Sequence, residues 1–506
     1  MTYPISEGLV LKLWPFARRS EKPASPPSHR REPALSTRSY RAAYPDRLAS
    51  GFNIFGTTTR DETRREIRGL VGHSRHASHN FDLARSYEML IRRHAIGPSG
   101  IRLQMNVRDP NGSKDTRANA TVEAAWTKWG KKGSPTICGN LSWWGLECQI
   151  ATGIAREGGA FIRMYEGRGY GPFGFQVEPV LFDRLDLDLT QALPGGNYIE
   201  AGIEFNQNGR VLAFHIWNKP QSEAHHGTAR IRERVPAKNM IYVVVPEEIG
   251  QVLGVPRSST ALRLLNMIEG FQESAMAAAN YGAAQMLFFE QENAGQQLSA
   301  AHENTPIDEI EAGTIGMLPP GVKATWSQSK YPDQAVEPFI WHMTTSAAAG
   351  LGVAPESLTG NMKNSSFVTL RAGKGEERDE WRMLQRAIYE GLHDQVFSRW
   401  LHLALLTGAL ALPISKFDKF NAATWRPRGW ASVNPKDDAN ANATALANGD
   451  KSLTEICAER GRSFEDVLDE RAAEVAAFQK RGLPVPEWLG VLDEGTPGDH
   501  DPPQKE

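Results

Sequence analysis

Between Ser258 and Glu290 the chain reads SSTALRLLNMIEGFQESAMAAANYGAAQMLFFE, a proline-free run with a helical apolar period. About thirty residues at about 1.5 Å each predict a rod roughly 45 Å long, opened by Ser258 or Ser259 as a cap. Its middle, Ala275 to Ala284, is almost all Ala and Gly. Small side chains let helices approach closely, whereas a helix packed only within its own domain carries larger apolar residues there. The pattern therefore predicts packing between copies of the chain, with Ala279, Gly282 and Ala283 as contact candidates. Glu269 and Glu273 lie four apart on the same rod, and if the packed copies surround an axis each would become a ring of negative charge that repels phosphate. An outward, solvated face is the other reading of these two acids.

A second organising stretch runs from Val336 to Leu370. Phe339, Ile340, Met343 and the small run Ser346 to Ala349 form a helical pattern that Gly350 and Gly352 end near Leu351. From Val353 to Asn364 the apolar period disappears and Pro355, Gly360, Asn361 and Asn364 dominate, which predicts a mobile connection with no regular element. Lys363 and Glu356 are its charged candidates: Lys363 either meets phosphate or pairs with Glu356. Ser365 or Ser366 then caps a helix whose Trp381, Leu384, Ile388, Leu392, Val396 and Leu403 lay an apolar stripe on one face.

The remainder narrows the class. At 506 residues the chain holds two to four packed regions, and a net charge of −2 argues against coating nucleic acid by bulk electrostatics. Any contact with DNA must be local. Three cysteines do not make a disulfide framework; Cys138 and Cys148 read as core residues. No window reaches the roughly 18 apolar residues of a spanning helix, so no membrane partner is expected. His73, His76 and His79 read as surface histidines without a fourth ligand, and no metal or other cofactor is expected. Residues 119 to 157 look helical; 160 to 245 alternate in short runs, with Asn208-Gly209 marking a hairpin. The formal GxGxxG at Gly169 to Gly174 lacks the flanking strand and helix of a dinucleotide site and reads as a turn. No GxSxG, Walker-type loop, HExxH or CxxC occurs, and the acids Glu376, Glu377, Asp379 and Glu380 point to different helix faces and read as solvated, so the chain is not expected to be an enzyme.

Ala348, Ala349, Leu351, Gly352, Val353, Glu356, Leu358, Thr359, Ser365 and Ser366 form an A-A-x-L-G-V-x-x-E-x-L-T-x-x-x-x-x-x-S-S pattern that resembles the portal proteins of lambda-like tailed bacteriophages. The likeness recurs at IRRHAIGPSGIRLQ (91–104), REGGAFIR (156–163), LGVPRSSTALRLL (253–265) and WRPRGWASVNPKDDA (425–439), in the family's order. It implies an α+β, mainly helical portal fold assembled as a ring of twelve. The implied parts are a basic N-terminal arm (1–55), a wing (56–255), a stem helix (256–289), a clip (290–331), a second stem helix (332–352), a tunnel loop (353–364), a wing return (365–434) in which the Trp425 to Trp430 word makes a hairpin, a two- or three-helix crown (435–490) and an acidic tail (491–506). The arm and the tail read as disordered. The implied partners are further copies of the chain, the large terminase subunit, the major capsid protein and scaffold, head-completion and tail-connector proteins, and double-stranded DNA passing without sequence specificity. The implied place is the portal vertex of the virion, reached from the host cytoplasm. A capsid scaffold or adaptor without a channel is the alternative.

Overall fold

The computed structural model describes residues 58–223, 229–283, 287–291, 322–326, 334–363, 366–430, 435–459, 462 and 464–486. The expected N-terminal arm and acidic tail, most of the expected clip, and Asn364 and Ser365 lie outside the described residues.

Helix α1 (Thr59–Asn80) carries His73, His76 and His79 on its exposed side. Helix α2 (Asp82–Ile91) runs through a π-helical turn (Arg92–Ile96) to Gly97, whose φ of +74° ends it. Strand β1 (Arg102–Met105) follows. The single helical region expected over 119–157 is two helices, α3 (Thr116–Trp129) and α4 (Trp143–Glu157). Asp115 and Ser142 cap them by accepting from Ala118 N and Gly145 N. Gly130, Gly133, Pro135 and Gly139 break the helical pattern between them. Cys138 sits in that break and is exposed, which corrects its reading as a core residue; Cys148 on α4 is half-buried.

Strands β2 (Gly159–Glu166) and β3 (Phe175–Val180) are antiparallel, and the GxGxxG word is the turn between them, with Gly171 and Gly174 at positive φ. Strands β4 (Gln191–Ala192), β5 (Tyr198–Glu200), β6 (Ile203–Phe205), β7 (Val211–Trp217) and β8 (Arg232–Pro236) make an antiparallel sheet in sequence order. The Asn208-Gly209 turn joins β6 to β7, braced by Asn206 Oδ1 accepting from Asn208 N and Arg210 N. Strand β9 (Met240–Val244) returns to complete a three-stranded sheet in the order β3-β2-β9.

Helix α5 (Leu262–Ala283) has 22 residues, shorter than the rod expected. Residues 257–261 turn instead of joining it, and the Ser258 hydroxyl meets Ser74 Oγ at 3.0 Å rather than capping. At the far end Leu287–Gln291 forms strand β10, where Phe288 and Phe289 favour extended backbone, paired antiparallel with β11 (Val322–Trp326). Helix α6 (Val336–Leu351) stops at Gly352 in a left-handed C-cap, as its sequence predicts. Then come α7 (Pro355–Thr359), α8 (Phe367–Ile388), a second π-helical turn (Tyr389–His393), α9 (Asp394–Leu406), α10 (Phe417–Phe420) and strand β12 (Ala423–Arg426). Strand β12 pairs with β1, Trp425 opposite Leu103, so the expected local hairpin is a long-range pairing. Trp425 is buried and its indole N–H donates to Asp394 at 2.7 Å. Helices α11 (Pro435–Ala447), α12 (Leu453–Glu459) and α13 (Phe464–Lys480) follow. Ser452 and Glu455 form a reciprocal cap. Ile456 is buried, but Leu446, Leu453 and Leu468 on these helices stay exposed.

The stripe on α8 and α9 is the spine of the main core. Trp381, Leu384, Ile388, Leu392, Val396 and Leu403 are all buried, and Trp400 packs its ring against Trp126, Trp129 and Phe173. A second core lies between the two larger sheets and Ile67 and Val71 of α1.

The REGGAFIR and LGVPRSST words meet in space. Gly158 caps α4 at φ +81°, and a Cβ there would lie 2.3 Å from the Gly254 carbonyl carbon. A Cβ on Gly254 would lie 2.0 Å from Gly158 O. Arg257, three residues on, reaches Tyr87 OH and Glu380, tying α2 to α8. Gly158→Ala is therefore expected to cost about 3 kcal/mol or more in denaturant titration, through overpacking and left-handed strain together. Gly69→Ala, with nothing within 4 Å of its Cβ, is the control and should be neutral or mildly stabilising.

Candidate functional site

Helices α5 and α6 lie against each other with one end rooted in the core. At the root Leu265, Ile268, Ala347, Ala348 and Leu351 are buried, and Thr260 Oγ1 donates to Gly350 O at 2.7 Å. The helices are close at this point, since a Cβ on Gly350 would be in van der Waals contact with Thr260 Oγ1 at 3.4 Å and Ala261 at 3.5 Å. Away from the root the two helices meet at Phe271 and Phe339, ring centroids 5.1 Å apart. From Glu269 to Asn280 no described residue of α5 is buried, and Met276 and Phe339 are 65% and 48% exposed. Half of the pair thus leaves the core with apolar surface uncovered. Glu273 and the alanine run stand on that projecting half, Glu269 at its start; Glu269 and Ala279 are half-buried, Glu273 is exposed, and Gly282 and Ala283 close the helix.

The connection between α6 and α8 is not the structureless loop that its composition predicts. Ala354 is extended, Pro355 starts α7 at the position where its missing N–H costs nothing, and Gly360 ends it at φ +72°. Leu358 is buried, Ser86 Oγ donates to Leu358 O at 2.6 Å, and Ser357 Oγ donates to Glu377 Oε2 at 2.6 Å. Glu377, buried on α8, also accepts from Trp381 Nε1, so it is not one of a solvated set of acids. What stays free of regular structure is Gly360 to Lys363, tightened by Lys363 N donating to Asn361 Oδ1. The Lys363 ammonium meets Glu337 of α6 at 3.4 Å, both well exposed, rather than Glu356, which is half-buried on α7. The candidates Lys363 and Asn361 come together at this tip; Glu356 belongs to the docked turn behind it.

The sequence reading missed Glu377 and Ser357. The signal was present in the helical period: Trp381 and Leu384 follow Glu377 by four and seven residues, which puts its carboxylate on the buried stripe.

Comparison with known proteins gives the family. The model of the lambda family of phage portal proteins matches residues 46–385, and this chain belongs to that family. Among relatives, the probable portal protein of Halomonas phage phiHAP-1 is 26% identical over 488 residues, covering 94% of this chain and 93% of that protein. Portal protein B of Escherichia phage lambda is 21% identical over 336 residues, covering 58% of this chain and 61% of its own length. A chain from the neck of an empty gene transfer agent particle superposes with a TM-score of 0.45 at 12% identity, covering 82% of this chain and 97% of that one.

Glu377→Ala should leave the Ser357 hydroxyl and the Trp381 indole without their acceptor and cost about 1 to 3 kcal/mol. Amide hydrogen exchange across residues 355–359 should rise in that variant. Unchanged exchange would show that Leu358 packing and the Ser86 hydrogen bond hold α7 without Glu377.

Proposed function

We propose that the chain is one subunit of a portal ring at a capsid vertex, through which terminase drives double-stranded DNA inward and through which the DNA leaves at infection. The observation that carries this reading is the α5–α6 pair, rooted in the core at one end and projecting an apolar, alanine-rich half that a lone subunit leaves in water. Burying such a face against copies of itself is the favourable outcome, since each buried methylene contributes about 0.8 kcal/mol. Twelve copies is the number that family membership leads us to expect. On this reading the capsid protein and the head-completion and tail-connector proteins meet the ring from outside, and the subunit hydrolyses nothing. The place proposed for it is the virion; none of the described helices is long and apolar enough to cross a membrane.

Glu269 and Glu273 are proposed for the channel wall and the tip at Asn361 and Lys363 for the DNA path, with Asn364 next in sequence. One Lys per subunit gives a sparse ring of point charges that tracks phosphate without reading bases. The Glu337 pair does not compete strongly, because an exposed ion pair is worth about 0 to 1 kcal/mol.

Ala279→Leu adds three carbons to the projecting face, and overpacking of about 1 to 3 kcal/mol per contact is repeated at every interface. Subunits should keep their thermal midpoint but fail to close rings, and heads made with them should hold no nuclease-protected DNA. Protected DNA at the normal level in heads without rings would contradict the channel reading and favour the adaptor. Lys363→Ala should form normal rings whose DNA retention changes with salt. Retention unaltered at every salt concentration would remove Lys363 from the DNA path.

A further inference from the structure

An open groove of about 1100 Å³ lies between the end of α2, α4 and the β3 edge of the three-stranded sheet. Met89, Trp144 and Leu181 present apolar surface to it, each 40% to 54% exposed. Arg92, Arg93 and Arg428 stand around it; Glu157 is the one carboxylate among its described lining residues, and Arg75 already holds that group at 2.6 Å. The positive field is felt nearby: the His94 imidazole is brought down to about 4, by burial first and then by Arg428 and Arg93. An apolar floor with a cationic rim fits an apolar side chain flanked by acids.

The same chain carries that complement. After β9, Pro246-Glu-Glu-Ile-Gly250 is exposed throughout, and Ile249 is fully exposed at 108%. The loop is preformed: Gln251 Oε1 accepts from Glu247 N at 2.7 Å and Glu248 N at 3.3 Å, and Gly250 turns at φ +83°. Preorganisation lowers the entropic cost of docking. The strand register puts groove and loop at one end of the sheet on opposite edges, because Val180 of β3 pairs with Phe161 while Val244 of β9 pairs with Gly159. Surfaces that are complementary but not self-complementary associate head to tail, and such contacts generate rings when the rotation closes.

We propose that Ile249 of one subunit seats in the Met89, Trp144 and Leu181 groove of its neighbour, with Glu247 facing the neighbour's Arg92 and Arg93. This rests on the ring reading above and names a contact between adjacent wings. A disulfide reports the contact directly, since it forms only when two Cα atoms come within about 7 Å. The full chain carrying Cys138→Ser, Cys148→Ser and Cys457→Ser receives Leu181→Cys and Ile249→Cys, and is oxidised, imaged and run on a denaturing gel. The expected result is a ladder of multimers that reductant collapses and that neither single-cysteine variant gives. Imaged rings that yield only monomer on the gel would overturn the contact while leaving the ring standing. A wild-type chain that forms no rings would overturn both. Ile249→Asp, on a loop outside either core, should keep the native thermal midpoint and lower ring yield at least tenfold; wild-type yield would overturn the proposal independently of the crosslink.

Discussion

The fold depends on one continuous demand for burial, made by α8 and α9. A helix with Trp, Leu, Ile and Phe along one stripe from Trp381 to Leu405 cannot be covered by a single neighbour, and at about 25 cal/mol per Å² the uncovered stripe would dominate the energetics. The chain covers it from both sides in sequence: α2, α3 and α4 arrive from the first third, β12 from the last. Trp126, Trp129, Trp143, Trp400 and Trp425 meet around it in edge and tilted contacts, and the indole N–H groups of Trp129 and Trp425 find acceptors on Phe175 and Asp394.

Around that spine the polar contacts fix direction. Arg156 clasps the buried carboxylate of Glu88, Arg257 reaches Tyr87 and Glu380, and Gly158 lies on Gly254. These three joints set where α4 ends and where α5 leaves, so the α5–α6 pair departs from the core at a defined place. The portal-family words in the sequence map onto these joints and onto buried Leu351, Val353 and Leu358, which are packing positions. The exposed tip at Asn361 and Lys363 lies beyond the last of them.

Local periodicity made much of this legible. The α8–α9 stripe, the stop at Gly352 and the Asn208-Gly209 turn all follow from spacings within one or two turns of chain. Three features did not follow, each for a physical reason. The β1–β12 pairing joins Arg102 to Arg426, and a strand's own pattern says which face is buried but not which partner supplies its hydrogen bonds. The docking of α7 depends on Leu358 finding a pocket beneath α2, which outweighs the turn-forming composition around it. The early end of α5 reflects Phe288 and Phe289 pairing with β11, a tertiary contact that overrides a sequence able to continue as helix.

The proposed ring rests on a helix pair that is covered at its root and bare along its projecting half. Imaging of the purified full-length chain by electron microscopy tests that claim most directly, through the symmetry of the particle and the width of its central pore. The account predicts closed rings with a pore wider than a DNA duplex, walled by the projecting halves of α5 and α6. Particles that stay monomeric, or that assemble without a through-channel, would contradict it.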